Sequence, residues 1–144
     1  MRFRRHHAVL AVLFSFVLCS GFVCTASQIH RATVAEHDFK ITVQNFQNAE
    51  IAEFMAGHVD MDLHQRMQSA ILQVAMNGQA LATLIQQGNT SGGLAMAQNI
   101  IVYLQNLNDN VVSRVSNTNT ETILKLALQA IMDGMTNVAT QLTK

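Results

Sequence analysis

Two histidines and two aspartates lie within seven residues of one another: His58, Asp60, Asp62 and His64. Imidazole nitrogens and carboxylate oxygens are common ligands of divalent metal ions. If a helix begins near Asp60, then Asp60 and His64 lie one turn apart on the same face. These four residues are therefore the candidate metal ligands of the chain. In the competing interpretation Asp60 caps a helix and Asp62 lies in its first turn, where the helix dipole favours negative charge.

Motifs of catalysis are absent from the sequence. It contains no Gly-x-Ser-x-Gly elbow, no phosphate-binding glycine loop and no pair of Glu-x-x-His motifs. Glu36, His37 and Asp38 are adjacent, but neighbouring residues of a helix point about 100° apart, which is typical of a solvated face. We therefore expect a protein that acts by binding, without catalysis and without a cofactor.

A stretch of 42 residues between Arg66 and Asp109 contains no Asp, Glu, Lys, Arg or His. Its polar residues are amides and hydroxyls, which cost less to desolvate than charges and can pair across an interface. We predict that this stretch supplies an interaction surface for a protein partner or for a second copy of the chain. The glutamines expected on that surface are Gln73, Gln79, Gln86, Gln98 and Gln105. In the alternative, the stretch is the middle of the fold and is kept soluble by amides alone.

The candidate ligands and the glutamines lie in or beside segments with the period of amphipathic helices. In three such segments apolar residues recur at steps of three and four. The pattern predicts helices over residues 60–87, 91–115 and 119–143. The last opens at Thr118–Glu121 with the spacing of a capping box. The apolar residues that define the three stripes include Leu63, Met67, Ile71, Val74, Leu81, Ile85, Ala97, Ile100, Leu104, Leu107, Leu124, Leu128, Ile131, Met135 and Val138.

A further segment, residues 34–56, has a less regular pattern. Phe39, Val43 and Phe46 share a stripe that then meets Glu50, and the apolar residues resume out of phase. We predict a helix with a kink near residues 45–48, preceded by a loose lead-in at residues 28–33. Alternation over residues 39–43 also fits a strand.

The fold class predicted from these segments is all-α. The chain contains no Pro, and short connections between long helices favour an antiparallel up-down four-helix bundle over residues 28–144. The seven-residue spacing also permits a coiled coil between chains.

Residues 1–27 have the pattern of a cleaved secretory signal peptide: Arg2, Arg4 and Arg5, an apolar run, and small residues up to Ala26 and Ser27. The alternatives are an uncleaved anchor, for which the run is shorter than the roughly 20 residues of a membrane span, and a lipoprotein beginning at Cys24. Cleavage leaves 6 basic and 9 acidic residues and no transmembrane segment. We expect a secreted protein, extracellular or, in a bacterium, periplasmic.

The composition argues against nucleic acid as a partner. Charged residues make up 12% of the chain and its net charge is 0, so the basic excess of a nucleic-acid-binding protein is missing. The methionines indicate an adaptable interior. The hypotheses are therefore an exported bundle that binds a protein or assembles with itself and, as an alternative, a carrier of a small apolar ligand or a divalent metal.

Overall fold

The chain folds as four packed α-helices in a computed structural model that describes the backbone of residues 3–144 and the side chains of residues 26–144. The helices are α1 (Phe3–Met55), α2 (Met61–Gln86), α3 (Thr90–Asn110) and α4 (Thr118–Thr143), with a short 3-10 turn at Val112–Arg114. The described residues contain no strand, so the all-α prediction is confirmed and the strand alternative for residues 39–43 is wrong.

The core lies between the stripes that the sequence pattern identified. Helix α1 packs against α2 and α4, and α3 packs against the same two helices. Most apolar residues at core positions are almost completely buried, among them Phe39, Met67, Leu81, Leu104 and Leu128. Burial of such side chains contributes roughly 1.5–3 kcal/mol each, which is why the period of 3.6 residues decides the fold class.

The prediction that the first bundle helix begins at residue 34 is corrected by the structure. Residues 28–33 are part of α1, where Ala32 is completely buried and Gln28 Nε2 donates a hydrogen bond to the backbone oxygen of Leu142 (2.7 Å). The signal peptide predicted for residues 1–27 falls on residues 1–25, whose side chains lie outside the described part of the chain, and on Ala26 and Ser27, which are exposed.

At the kink predicted near residues 45–48, α1 continues as an uninterrupted helix. Glu50 is completely buried and continues the stripe of Phe39, Val43 and Phe46 in register, while Ile51 is exposed. The apparent change of phase thus came from assigning a charged residue to the solvent.

The ends of the later helices are set by local capping. Helix α3 ends at Asn110 and not near Val115, because the 3-10 turn that follows directs Val112 and Val115 into the core. Helix α4 is capped by Asn117, one residue before the predicted box: its side-chain oxygen accepts hydrogen bonds from the backbone nitrogens of Asn119 and Thr120 (both 3.1 Å). An asparagine at the N-cap satisfies amide groups that have no partner within the helix.

Two glycines without side-chain bulk let helices approach Phe39 closely. A Cβ at Gly78 of α2 would lie 3.1 Å from Phe39 Cε1, and one at Gly134 of α4 would lie 3.6 Å from the Phe39 Cα. At Phe39, α1 therefore packs tightly against α2 and lies in van der Waals contact with α4.

No helix among the described residues combines the length and the apolar character that a membrane crossing requires.

Candidate functional site

The four predicted metal ligands do not form one cluster in the structure. The Asp60 side chain caps α2 by accepting a hydrogen bond from the Leu63 backbone nitrogen (2.9 Å), and Asp62 pairs with Arg66 (2.9 Å). His58 and His64 each contact a different glutamate of α1. Within the described part of the chain, no group of three or more His, Cys, Asp or Glu side chains is arranged to hold a metal ion. The capping interpretation of Asp60 is the one that the structure supports.

A buried carboxylate, Glu50, lies where α1 meets α2. Its Oε1 is 2.7 Å from Nδ1 of His64, and its Oε2 accepts a hydrogen bond from Nε2 of Gln68 (2.5 Å). Gln47, one turn earlier on α1, donates to Oε1 of the same Gln68 (3.3 Å). Burial of a polar group costs free energy unless the group is hydrogen-bonded, and both oxygens of the Glu50 side chain have a partner. This network fixes α2 against α1 through polar groups in an otherwise apolar contact.

His64 is held on a second side by an aromatic contact. Its ring stacks on Phe54 with the centroids 3.8 Å apart and the planes 9° from parallel. Offset or stacked rings stabilise each other by about 0.5–1.5 kcal/mol beyond burial alone. The ring is thus placed by Phe54 and oriented by Glu50, and only about one fifth of its side chain is exposed.

A second carboxylate, Glu53, joins α1 to α4. Its Oε2 accepts a hydrogen bond from the hydroxyl of the buried Thr120 (2.7 Å) and lies 2.7 Å from Nδ1 of His58. These hydrogen bonds, with the one from His58 foremost, hold the pKa of Glu53 below its ordinary value of 4.5. We call this arrangement the end cluster. Its members are Glu50, Glu53, His58, His64, Gln68 and Thr120.

We expect Glu53→Gln to change how the free energy of unfolding depends on pH. A carboxyl group with a lowered pKa in the folded state contributes stability that is present above its unfolded-state pKa and is lost as the pH falls through the folded-state value. The variant should therefore unfold more easily than the original chain at neutral pH, and the two should converge as the pH falls below 4.5. Urea unfolding followed by circular dichroism measures this. A difference that does not change with pH would contradict it.

Sequence reasoning missed most of the end cluster. A signal for Glu50 existed, because it follows Phe46 by four residues and Val43 by seven and so occupies a core position. No local signal pointed to the contact between Glu53 and Thr120, which are 67 residues apart.

The five predicted surface glutamines are all exposed, but they do not share one patch. Gln79 and Gln86, seven residues apart, line depressions beside α1, whereas Gln73 donates to Asn77 within α2 (3.1 Å). Gln98 and Gln105 are exposed on α3 and are also seven residues apart, hence on one face. The glutamines therefore surround the pair α2 and α3 without converging on a single point.

Large apolar side chains are exposed among these amides. Leu72 and Met76 of α2 are 63% and 56% exposed, and Val102 and Tyr103 of α3 are 56% and 37% exposed. Single exposed apolar residues are ordinary. These four differ from the other exposed apolar residues because they have no charged neighbour in the sequence: no charged residue lies between positions 66 and 109. We call the exposed residues of α2 and α3 in this range the uncharged surface.

A groove runs between α1 and α2 beside this surface. One part of it encloses about 380 Å³ and an adjoining part about 250 Å³; the two share Val43, Gln47 and Ala75. Its floor is apolar and its edges carry amides. Lys40, one of its lining residues, pairs with the buried Glu36 (2.8 Å).

No known protein family, curated protein or solved structure matches this chain. Two features of the described residues bear on function. The polar groups of the end cluster form hydrogen bonds with one another and connect three helices, which is a structural role. The uncharged surface directs its groups outward, where a partner can contact them.

Proposed function

We propose that this protein is an exported, non-catalytic helical bundle that acts by binding another protein or by assembling with copies of itself through the uncharged surface. The observation that carries the proposal is the exposure of Leu72, Met76, Val102 and Tyr103 among neutral amides, with no charged residue from position 67 to 108. The central part of a protein interface is depleted in charge and enriched in Met and aromatic residues. The uncharged surface has that composition.

The proposed arrangement of the bundle is antiparallel and up-down. The connections between successive helices are short, at residues 56–60, 87–89 and 111–117, which favours antiparallel neighbours. Two contacts support an antiparallel arrangement of α1 and α4. Gln28, near the start of the described side chains of α1, contacts Leu142 near the end of α4, and Glu53 near the end of α1 contacts Thr120 near the start of α4.

Export is proposed from the signal-peptide pattern of residues 1–27. Ala26 and Ser27 are exposed, and the hydrogen bond from Gln28 to Leu142 on α4 lies beyond the cut, which is compatible with cleavage at this point. Cleavage would shorten α1, and a cut after Ser27 would also remove the hydrogen bond that Arg31 Nη1 donates to Ser27 Oγ (3.0 Å). Expressed with its own N-terminus in a cell that secretes proteins, the chain should be recovered outside the cytoplasm beginning at Ser27 or Gln28. Mass spectrometry of the intact protein identifies the first residue. Recovery of the uncut chain would contradict the proposal.

The binding function is tested by the mass of the native protein. We expect a complex heavier than one chain in sedimentation velocity, and a lower mass for the variants Gln79→Glu and Gln98→Glu, because each adds an unpaired charge to the uncharged surface. Gln129→Glu, at an exposed position of α4, is the matched control and should leave the mass unchanged. A single-chain mass for the original protein, or equal masses for all variants, would argue against this function.

The second candidate function is that of a carrier for a small apolar ligand, and the groove between α1 and α2 is the observation that favours it. A carrier is expected to be a single chain that copurifies with its ligand. Native mass spectrometry distinguishes the two functions, because it reports the number of chains and any bound small molecule together.

A further inference from the structure

The turn between α2 and α3 leads into the sequence Asn89-Thr90-Ser91. An asparagine followed by any residue except proline and then by serine or threonine is the acceptor sequence for N-linked glycosylation. The pattern occurs once in the chain, since no other asparagine has serine or threonine two positions later. Such triplets also arise by chance, so the position of this one in the fold decides whether it can carry a glycan.

The acceptor sequence lies at an end of the bundle, where the chain passes from one helix to the next. Residues 87–89 connect the two helices, and Gly88 turns the chain with a φ of 69°, a conformation that favours glycine. Asn89 and Ser91 are both exposed. A glycan is bulky and polar, so only a surface side chain can carry it. Asn89 meets this requirement.

The Asn89 side chain uses its oxygen within the fold and leaves its nitrogen available. Its Oδ1 caps α3 by accepting a hydrogen bond from the Gly92 backbone nitrogen (2.9 Å), and it also accepts one from Oγ of Ser91 (3.3 Å). Within the described part of the chain, Nδ2 donates no hydrogen bond. A glycan is attached through this nitrogen, and the amide keeps its oxygen when one N–H is replaced. The cap of α3 is therefore compatible with the modification.

Gly92 provides the space that the Asn89 amide occupies. A Cβ at position 92 would lie 2.7 Å from Asn89 Nδ2 and 2.9 Å from Asn89 Oδ1, closer than two such atoms can approach. Glycine is less favourable than alanine inside a helix, so its presence in the first turn of α3 has a steric reason. Any larger residue would displace the amide from this position.

We propose that Asn89 carries an N-linked glycan. In the transfer, Asn89 Nδ2 forms a bond to the anomeric carbon of a lipid-linked oligosaccharide. The bond from that carbon to the pyrophosphate of the donor breaks, the lipid pyrophosphate leaves, and the nitrogen loses one proton. Chains that receive such glycans are secreted proteins. The inference therefore rests on the export proposed above, and it adds that the host glycosylates the proteins it exports.

A glycan at Asn89 leaves the apolar part of the uncharged surface accessible. Met76 lies ten residues before the last residue of α2, and Val102 lies twelve residues after the first residue of α3. At 1.5 Å per residue these positions are roughly 15–18 Å along the helices from the turn. The glycan would hydrate the end of a helix pair that has no charge of its own between positions 66 and 109. The middle of the same pair stays open to a partner.

The intact mass of the secreted protein tests the inference. The full chain, expressed with its own N-terminus in cultured eukaryotic cells, should be secreted with a mass that exceeds that of the polypeptide by an oligosaccharide. Treatment with peptide-N-glycosidase should remove the excess and leave an aspartate in place of Asn89, which peptide mass spectrometry locates.

Two variants remove the acceptor while they retain the cap of α3. Asn89→Asp keeps an oxygen for the Gly92 nitrogen but has no amide nitrogen. Thr90→Pro keeps Asn89 and Ser91 and places proline at the first helical position, where a helix tolerates it, but proline there abolishes the acceptor sequence. Both variants should be secreted without the added mass and with unchanged helix content by circular dichroism. Ser91→Thr, which retains a hydroxyl, should be glycosylated like the original.

The outcomes separate this inference from the export on which it rests. An original chain that is secreted without a glycan would overturn the inference and leave the export proposal standing. A glycan that persists on Thr90→Pro would also overturn it, because the added mass would then lie elsewhere. Retention of the original chain in the cytoplasm would overturn both.

Discussion

Replacement of His64 by alanine should destabilise the protein by about 2–4 kcal/mol, because it removes a hydrogen-bond partner from a buried polar group and a stacked aromatic ring. His64 Nδ1 lies 2.7 Å from Glu50, and the Glu50 side chain has no exposed surface. The variant leaves Glu50 with Gln68 as its remaining partner and also removes the ring that stacks on Phe54. Urea unfolding followed by circular dichroism at neutral pH measures the free energy of unfolding.

The matched control is His58→Ala, which removes an equally short contact from the other glutamate of the end cluster. The His58 side chain is 45% exposed and that of Glu53 is 19% exposed, so solvent screens this pair and the loss should be much smaller. A second substitution tests the cause. Adding Glu50→Met to His64→Ala should recover much of the lost stability, since an apolar side chain of similar volume suits a buried site next to Phe46. No recovery would show that the loss arises elsewhere.

Replacement of Phe39 by alanine should have a comparable effect, about 3–5 kcal/mol, as expected for a buried Phe whose cavity cannot collapse fully. The Phe39 side chain is completely buried, with Gly78 of α2 and Gly134 of α4 against it. Ile41→Ala is the control on the same helix, because Ile41 is 48% exposed. It should cost less than about 1 kcal/mol. Equal losses for the two variants would contradict the placement of Phe39 in the core.

The contact between Phe39 and Gly78 can be tested directly by combining substitutions at both positions. Alanine is about 1 kcal/mol more favourable than glycine inside a helix, but a Cβ at Gly78 would lie 3.1 Å from the Phe39 ring. Gly78→Ala should therefore be distinctly more favourable when Phe39→Ala is also present, with a coupling energy of about 0.5–3 kcal/mol. A double-mutant cycle measures the coupling, and a value near zero would contradict the close packing.

The predictability of the end cluster differed from residue to residue. Asp60 was recognisable as a helix cap because capping depends on residues three positions apart. Glu50 was misread as a break in the stripe, since a charged residue is assigned to solvent unless a partner is known. Its partners, His64 and Gln68, lie on another helix, and their position relative to Glu50 follows only from how α1 and α2 pack.

The amino-acid sequence by itself determined the helical class, the core-facing stripes and the uncharged stretch between Arg66 and Asp109. These are properties of period and composition, and they act within a few turns of chain. The tertiary structure alone decided that Glu53 contacts Thr120, that Phe39 lies between two glycines, and that Gln79 and Gln86 line depressions beside α1. The reason is physical: a helix fixes the direction of its own side chains, but the neighbour that each side chain meets depends on the packing of whole helices.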